Sequence, residues 1–332
     1  MTDPSLPMPR ISLVGYGRIA LKHLEVFQAL GCPIASVCDA SADRRRAAAS
    51  ESGLARSYAS VAEMIEAERP DGIVACVSFD QNFSVAHAAV SRGVPVLLEK
   101  PPGLSAAECR GLLDLSSRRG APILPAFNRR HYSVLRKALE DAGGAANVTE
   151  TSVVWTEEPE RLLKRYSRLQ VSRMVFANTI HGLDMMTHLS GPIPQPALTA
   201  RSLGEPFRWQ ALLHGVSDRG VLASFASSWD SPGGWRFVFC TRGRRYTFAP
   251  LETCSVEERG QGATRRIEPD DCDRRFKPGF FEQARMFLEV ASTRRVPAGF
   301  GLETAIPAME LAERITEACL AAHRAAPGSA PI

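Results

Sequence analysis

The chain has 332 residues, enough for one large or two medium domains. Its 45% hydrophobic and 23% charged residues are the balance of an ordinary globular protein. A net charge of +4, dispersed along the chain, argues against a nucleic-acid partner. The longest apolar runs are strand-sized or broken by charge, so no membrane span is expected. The N-terminus, Met1-Thr2-Asp3-Pro4, lacks a leader pattern, and a cytoplasmic protein is expected. The eight cysteines are scattered without a Cys-x-x-Cys pair, which reads as small buried hydrophobes rather than disulfides or metal ligands.

From residue 10 to about 127, short apolar runs alternate with helical stretches. Strands are expected at 11–14, 34–38, 72–77, 94–98 and 122–127. Helices are expected at 18–29, 43–52, 61–68, 83–91 and 106–117. Ser60 with Glu63 and Ser105 with Glu108 have the spacing of capping boxes. Gly31, Gly53, Gly93 and Gly120 follow helices, where a left-handed residue closes the last turn. This alternation predicts a doubly wound parallel sheet covered on both faces.

After residue 128 the rhythm changes. A helix at 133–142 precedes strand-like segments at 148–155, 209–213, 221–227, 235–240, 245–248 and 265–267, with turn residues such as Ser231-Pro232-Gly233-Gly234 between them. An apolar helix at 180–189 interrupts the strands, and two helices at 281–291 and 305–322 close the chain. This half predicts an α+β domain with a largely antiparallel open sheet. The Pro/Ala/Gly/Ser-rich tail from Ala325 reads as frayed.

Gly15-Tyr16-Gly17-Arg18-Ile19-Ala20 opens the first helix directly after the first strand. There Gly15 allows a tight turn, Gly17 lets backbone approach a pyrophosphate, and Ala20 lets the helix pack close to the sheet. The helix N-terminus offers free N–H groups and a positive dipole end to phosphate. Asp39, ending the second strand, is placed to accept from adenosine ribose hydroxyls, which favours NAD. Ser41, Arg44 and Arg45 follow, and by pairing with a 2′-phosphate they would favour NADP instead. Cofactor contacts are expected from Gly15, Tyr16, Gly17, Arg18 and Ile19, from Asp39, Ala40 and Arg44, and from Val77, Ser78 and Asn82 at and after the end of the strand expected at 72–77. Glu99-Lys100-Pro101 follows the strand expected at 94–98, at the end at which doubly wound sheets bind ligands.

These motifs, with Gly93-Val94-Pro95-Val96-Leu97-Leu98 before Glu99, Asn128-Arg129-Arg130, His181-Gly182-Leu183-Asp184 and Phe280-Phe281-Glu282-Gln283, resemble the glucose–fructose oxidoreductase/inositol dehydrogenase/MocA family over nearly the whole chain. The resemblance implies a Rossmann domain over residues 1–127 and an α+β substrate-binding and oligomerisation domain over 128–332. It implies hydride exchange between nicotinamide and a hydroxyl-bearing carbon of a sugar, nucleotide sugar or cyclitol. Asn128 and Arg129 are then expected near the nicotinamide, with Glu99 and Lys100 beside them. A small polyhydroxylated substrate, a homodimer or homotetramer, and no metal are also expected.

The chemistry follows from the residue types. A cation beside a reacting hydroxyl stabilises the developing alkoxide, and a neighbouring base takes its proton. Lys100 suits the first role and His181 the second. Lys100, Arg165, Asn178, His181 and Asp184 are the expected substrate contacts. Bland readings compete: Glu99 and Lys100 as a surface ion pair, and His23 as helix packing. The cations Arg161, Lys164, Arg165, Arg168 and Arg173 read either as a solvated loop or as a seat for a diphosphate or carboxylate. Inositol dehydrogenase-like members carry an aspartate where this chain has Ala177. That departure keeps open a C=N or C=C reductase, or a cofactor-sensing protein without catalysis.

Overall fold

The computed structural model describes residues 7–205, 207–232 and 234–326. The Met1–Pro4 segment, Gly233 of the expected turn and the tail from Pro327 lie outside the described residues.

The first compact unit comprises residues up to His131 together with Asp271–Ile306. Its elements are β1 (Ile11–Val14), α1 (Arg18–Ala29), β2 (Ser36–Cys38), α2 (Ala42–Ser52), β3 (Ser57–Tyr58), α3 (Val61–Glu68), β4 (Gly72–Ala75), α4 (Asn82–Ser91), β5 (Val96–Glu99), α5 (Ala106–Arg119) and β6 (Ile123–Ala126). The strands form one parallel sheet in the order β3-β2-β1-β4-β5-β6. The order reverses between β1 and β4, which makes their carboxyl ends the ligand-binding end of the sheet. The near-continuous apolar runs of β1, β4 and β6 are buried along their length, as a parallel sheet covered on both faces requires.

Local chemistry explains the helix ends. The hydroxyls of Ser60 and Ser105 accept from the N–H groups of Glu63 (3.3 Å) and Glu108 (3.0 Å). At Ser105 the return bond differs from the expected box: the Glu108 carboxylate accepts from Leu104 N–H at 2.7 Å, one residue further out. Gly53 and Gly120 cap α2 and α5 in the left-handed conformation. The two-residue strand β3 escaped the sequence pattern because Ser57–Tyr58 is too short to show alternation.

The second unit holds residues 132–270 and 307–332. It opens with α6 (Ser133–Asp141) and β7 (Glu150–Thr156), followed by α7 (Pro159–Leu163), α8 (Arg168–Ser172) and α9 (Ile180–Ser190). Next come β8 (Ala197–Ser202), β9 (Trp209–Val216), β10 (Leu222–Ser228), β11 (Arg236–Thr241), β12 (Arg244–Phe248), β13 (Cys254–Glu258) and β14 (Arg265–Ile267). These eight strands form a sheet in the order β14-β13-β12-β11-β7-β10-β9-β8, antiparallel except for the β7–β10 pair. Its inner face is aromatic, with Trp155, Trp209, Phe225, Phe237, Phe239, Tyr246 and Phe248 almost fully buried. The apolar helix α9 lies on that face, against β7, β10 and β11.

The chain then returns to the first unit through α10 (Asp271–Arg275) and α11 (Phe280–Thr293), and ends with α12 (Ile306–Ala325). The expected single boundary at 127/128 therefore does not describe the units: residues 271–306 belong with the first sheet. The reason lies in α11, whose Phe280, Ala284, Phe287, Leu288 and Ala291 share one core with Ile11, Leu13, Ala20, Phe27 and Val74. A Cβ added at Gly72 would stand 2.9 Å from the Phe287 ring, so β4 and α11 meet without a spacer. None of the eight cysteines is in a disulfide, and six are buried. No helix among the described residues is long and apolar enough to cross a membrane.

Two consequences are measurable. A Cβ at Gly182, in α9, would lie 2.6 Å from Trp155 Cε3 and 2.9 Å from Val153 Cγ1. Gly182→Ala is therefore expected to destabilise by about 1–3 kcal/mol, read as a lowered midpoint in urea, through overpacking rather than helix propensity, which alone would favour alanine. His131 is buried 5.0 Å from the Phe300 ring, and burial, with the charges of Arg130 and Arg285, pushes its pKa down to about 3. Below its ordinary value of about 6.5 the unfolded chain takes up a proton that the folded chain refuses, so stability falls as pH drops from there toward 3. His131→Phe is expected to remove about 2 kcal/mol of the loss between pH 7 and pH 5; parallel urea midpoints for variant and wild type would contradict this.

Candidate active site

In the first unit the glycine turn lies between β1 and α1, beside the end of β4. Gly15 has φ +87, and a Cβ there would fall 2.5 Å from the Cys76 carbonyl oxygen and 3.1 Å from Val77 Cγ1. Only glycine satisfies both the conformation and the clearance. Gly17 differs. It caps α1 in extended conformation with no side-chain bond, and nothing lies within 4 Å of the position its Cβ would take. The protein's own packing does not require glycine at 17. The open space beside uncapped first-turn N–H groups fits a diphosphate that must approach backbone closely.

Asp39 is 7% exposed, and both its oxygens accept backbone bonds, Oδ2 from Tyr16 N–H and Oδ1 from Ser41 N–H, each at 2.8 Å. It therefore pins the glycine turn to the start of α2 besides presenting its carboxylate. Tyr16 turns its hydroxyl to Ser52, at 2.7 Å, and packs against α2. Ile19 is half-buried, whereas Arg18 and Ala40 are exposed. Arg44 is exposed, 3.7 Å from Asp39 Oδ2, while the Arg45 guanidinium donates to the Asp39 and Ala40 carbonyls at 2.6 and 3.1 Å. Of the two arginines weighed for a 2′-phosphate, Arg45 is thus committed to backbone.

At the end of β5, Glu99 has a partner inside the unit. Its Oε1 lies 3.1 Å from Nε2 of the fully buried His23, on α1. Burial pushes the Glu99 carboxyl up, but the His23 hydrogen bond and the charges of His23, Lys100 and Lys277 outweigh it and hold the group below its usual range. His23 is thus more than helix packing: it joins the helix of the glycine turn to the strand that ends in Lys100. Asn82 is also fully buried, and its Nδ2 donates to the carbonyls of Glu99 (2.8 Å) and Pro101 (2.7 Å), on either side of Lys100. Its amide nitrogen fixes the backbone that carries the lysine, a role the expectation of direct cofactor contact did not include. The Lys100–Pro101 peptide is cis, and Lys100 is half-buried. Val77 is half-buried and Ser78 exposed at the neighbouring strand end.

Asn128 and Arg129 are buried, and Asn128 Nδ2 donates to the Pro278 carbonyl at 3.0 Å. Arg130 donates to Thr304 Oγ1 at 2.5 Å, tying the returning segment to the end of β6. That segment also brings a residue sequence reasoning missed. The Lys277 ammonium lies 4.6 Å above the Phe280 ring, which packs 4.7 Å from His23. Desolvation lowers its pKa, opposed by Glu99 and reinforced by the charges of Arg129, Lys22 and Arg18. Arg18, in the glycine turn, is thus one of three cations whose charge reaches Lys277. Nothing local marks Lys277, because the chain leaves the first unit and returns before reaching it.

In the second unit, His181 and Asp184 lie one turn apart on α9 and are 5% and 1% exposed. A wide π-turn, Val175–Thr179, leads into that helix and carries Ala177 and Asn178. Such turns recur at functional sites. The Asn178 Nδ2 donates to Glu157 Oε1 at 2.6 Å, and the same oxygen accepts from Trp155 Nε1 at 2.9 Å. Trp155 stacks on Trp235 at 4.3 Å and 9°, so both indoles are committed to each other. The 157–175 stretch is not one loop. Pro159 starts α7, and a capping box between Ser167 and Gln170 starts α8. Arg161, Lys164, Arg165, Arg168 and Arg173 are all exposed, with Arg168 over the Phe207 ring. Among the described residues, no group of three or more His, Cys, Asp or Glu is arranged to hold a metal.

Residues 9–127 match the family model described as an oxidoreductase family with an NAD-binding Rossmann fold. The rhizopine catabolism protein MocA of Rhizobium meliloti is 26% identical over 315 residues, covering 93% of this chain and 94% of that protein. D-apiose dehydrogenase of Paraburkholderia graminis is 27% identical over 196 residues, covering 56% of this chain but only 51% of that enzyme. The crystal structure of a dehydrogenase from Chromobacterium violaceum has the same fold, with a TM-score of 0.82, 16% identity and coverage of 96% of this chain and 97% of that one. The glycine turn with its pinned aspartate, the Glu-Lys-Pro strand end and these likenesses converge: residues 9–127 form the NAD-binding Rossmann domain of an oxidoreductase family, and the chain is similar to MocA over 93% of its length.

Proposed function

We propose that this protein is an NAD-dependent oxidoreductase that moves hydride to or from a hydroxyl-bearing carbon of a sugar or cyclitol. The observation that carries the reading is the fixing of Lys100. Asn82 holds the backbone on both sides of it, and the Glu99–His23 bond anchors the residue before it to α1. The backbone that carries Lys100 is held at a defined place, in the same unit as the glycine turn. Gly15, Gly17, Arg18 and Ile19 would hold the cofactor's diphosphate, with Asp39 at the adenosine ribose. Bound nicotinamide supplies the hydride acceptor or donor. Lys100 stabilises the developing negative charge on the reacting oxygen, a task for a fixed cation with little hydration to reorganise. His181, 5% exposed on α9, takes or returns the hydroxyl proton.

Lys100→Met is expected to lower turnover by about 10²–10⁴-fold in an assay of NADH formation with myo-inositol and D-apiose. NADH affinity, read by fluorescence, should stay within about threefold, since the glycine turn is untouched. Turnover that survives the substitution would remove Lys100 from the mechanism. NADH binding with no turnover of sugars, cyclitols, imines or enones would favour a cofactor sensor instead.

A homo-oligomer accompanies this reading. On the outer face of the second sheet Val216 lies opposite Leu222 and Leu212 opposite Ala226, with Val154 beyond Ala226; the His214–Ser224 pair separates the two groups, and Leu212, Val216 and Leu222 are each about half exposed. Large apolar residues exposed on a sheet face suit a second copy of the chain. Light scattering should give a dimer or tetramer, and Leu212→Glu with Leu222→Glu should shift the mass toward the monomer. A wild-type monomer at micromolar concentration would exclude this assembly.

A further inference from the structure

We propose that Glu157 is a positioning residue that locks the Asn178 amide with its oxygen outward, so that Asn178 accepts a hydrogen bond from a hydroxyl or ammonium group of the substrate; this rests on the polyol reading above. His181 and Asp184, three residues apart, are neighbours on α9, and Asn178, three residues before His181, stands on the π-turn that leads into it. Asn178 is the half-buried one of the three. An amide can present either its donor or its acceptor, and two possible orientations blur recognition. Here the choice is made by the neighbour. A carboxylate oxygen only accepts, so the atom 2.6 Å from Glu157 Oε1 must be the amide nitrogen. The planar amide then carries its oxygen away from Glu157.

Glu157 is itself held. It is 7% exposed, it follows directly on β7, its N–H donates to the Ser228 carbonyl at 3.0 Å, and Trp155 Nε1 donates to the same carboxylate oxygen. The Trp155 ring is immobilised in turn by Trp235 and by contact with Gly182, one residue beyond His181. The carboxylate therefore stands on a rigid strand and reads the orientation of a side chain on a less regular turn. Outward acceptors select substrates that offer O–H or N–H at that point. They disfavour a phosphate or carboxylate there, because each would bring a second acceptor.

The test uses the full chain with three variants, Glu157→Leu, Asn178→Asp and the double variant. At pH 8, Asn178→Asp sets two carboxylates together and should lower Tm by several degrees. In the Glu157→Leu background the same substitution meets no second carboxylate and should lower Tm far less, whereas additive Tm changes would overturn the pairing. With NAD and myo-inositol or D-apiose, Glu157→Leu removes the acceptor and frees the Asn178 amide to turn. It should raise KM on the order of tenfold while kcat stays within about twofold and NADH affinity is unchanged. An unchanged KM would overturn the positioning role. The Tm cycle needs no substrate, so a wild type inert toward both polyols would count against the polyol reading and leave the Glu157–Asn178 pair decided by Tm alone.

Discussion

The buried bond between His23 and Glu99 connects the two parts of the first unit to which the proposed hydride chemistry is assigned. His23 is on the helix that opens at the glycine turn, and Glu99 precedes Lys100 at the end of β5. A carboxylate at this depth is tolerated only because a partner meets it. Neither residue can therefore shift without stranding the other, and the helix that would receive the diphosphate and the strand that presents the ammonium keep a fixed spacing. Asn82 adds a second restraint from α4, and Phe280 closes the far side of the imidazole. The strand end is thus set by polar groups inside the unit, with Lys100 itself half-buried.

Much of the first unit was legible in the sequence because its signals are local. A buried parallel strand is a short apolar run, the helix between strands has caps and a period, and the glycine turn sits at a predictable junction. The helices at 18–29 and 61–68 have the expected bounds. The pairing of His23 with Glu99 was not legible, since 76 residues separate them and each has an ordinary reading alone. Lys277 and the partnership of α11 with the first core were hidden for the same reason. Periodicity shows that a helix has an apolar face, but not which sheet will cover it.

The second unit shows the opposite limit. Its long central strands were readable from alternation, while β8 and β13 were missed because they lie toward the sheet's edges with few inward-facing apolar residues. The stretch after β7 read as a charged loop, and its charges do lie in solvent. What matters there is Glu157, one carboxylate among several acidic residues in the sequence and distinguished only by burial. The carboxylate absent at Ala177 drew attention to that position, whereas the acid that contacts the turn comes from a neighbouring strand.

The detour of the chain has a consequence for biogenesis. Residues 271–306 complete the core around α1 and β4, yet some 140 residues of the second unit are made before them. A ribosome that has released the whole parallel sheet has not released the helix that covers Phe27 and the start of β4. Until then the nascent first unit exposes an apolar surface while the second unit is still emerging. Sequence-distant closure of this kind slows folding and lengthens the interval in which such a surface is open to chaperones or to aggregation. Ligand binding at the glycine turn during that interval would stabilise the unit before its last helix arrives.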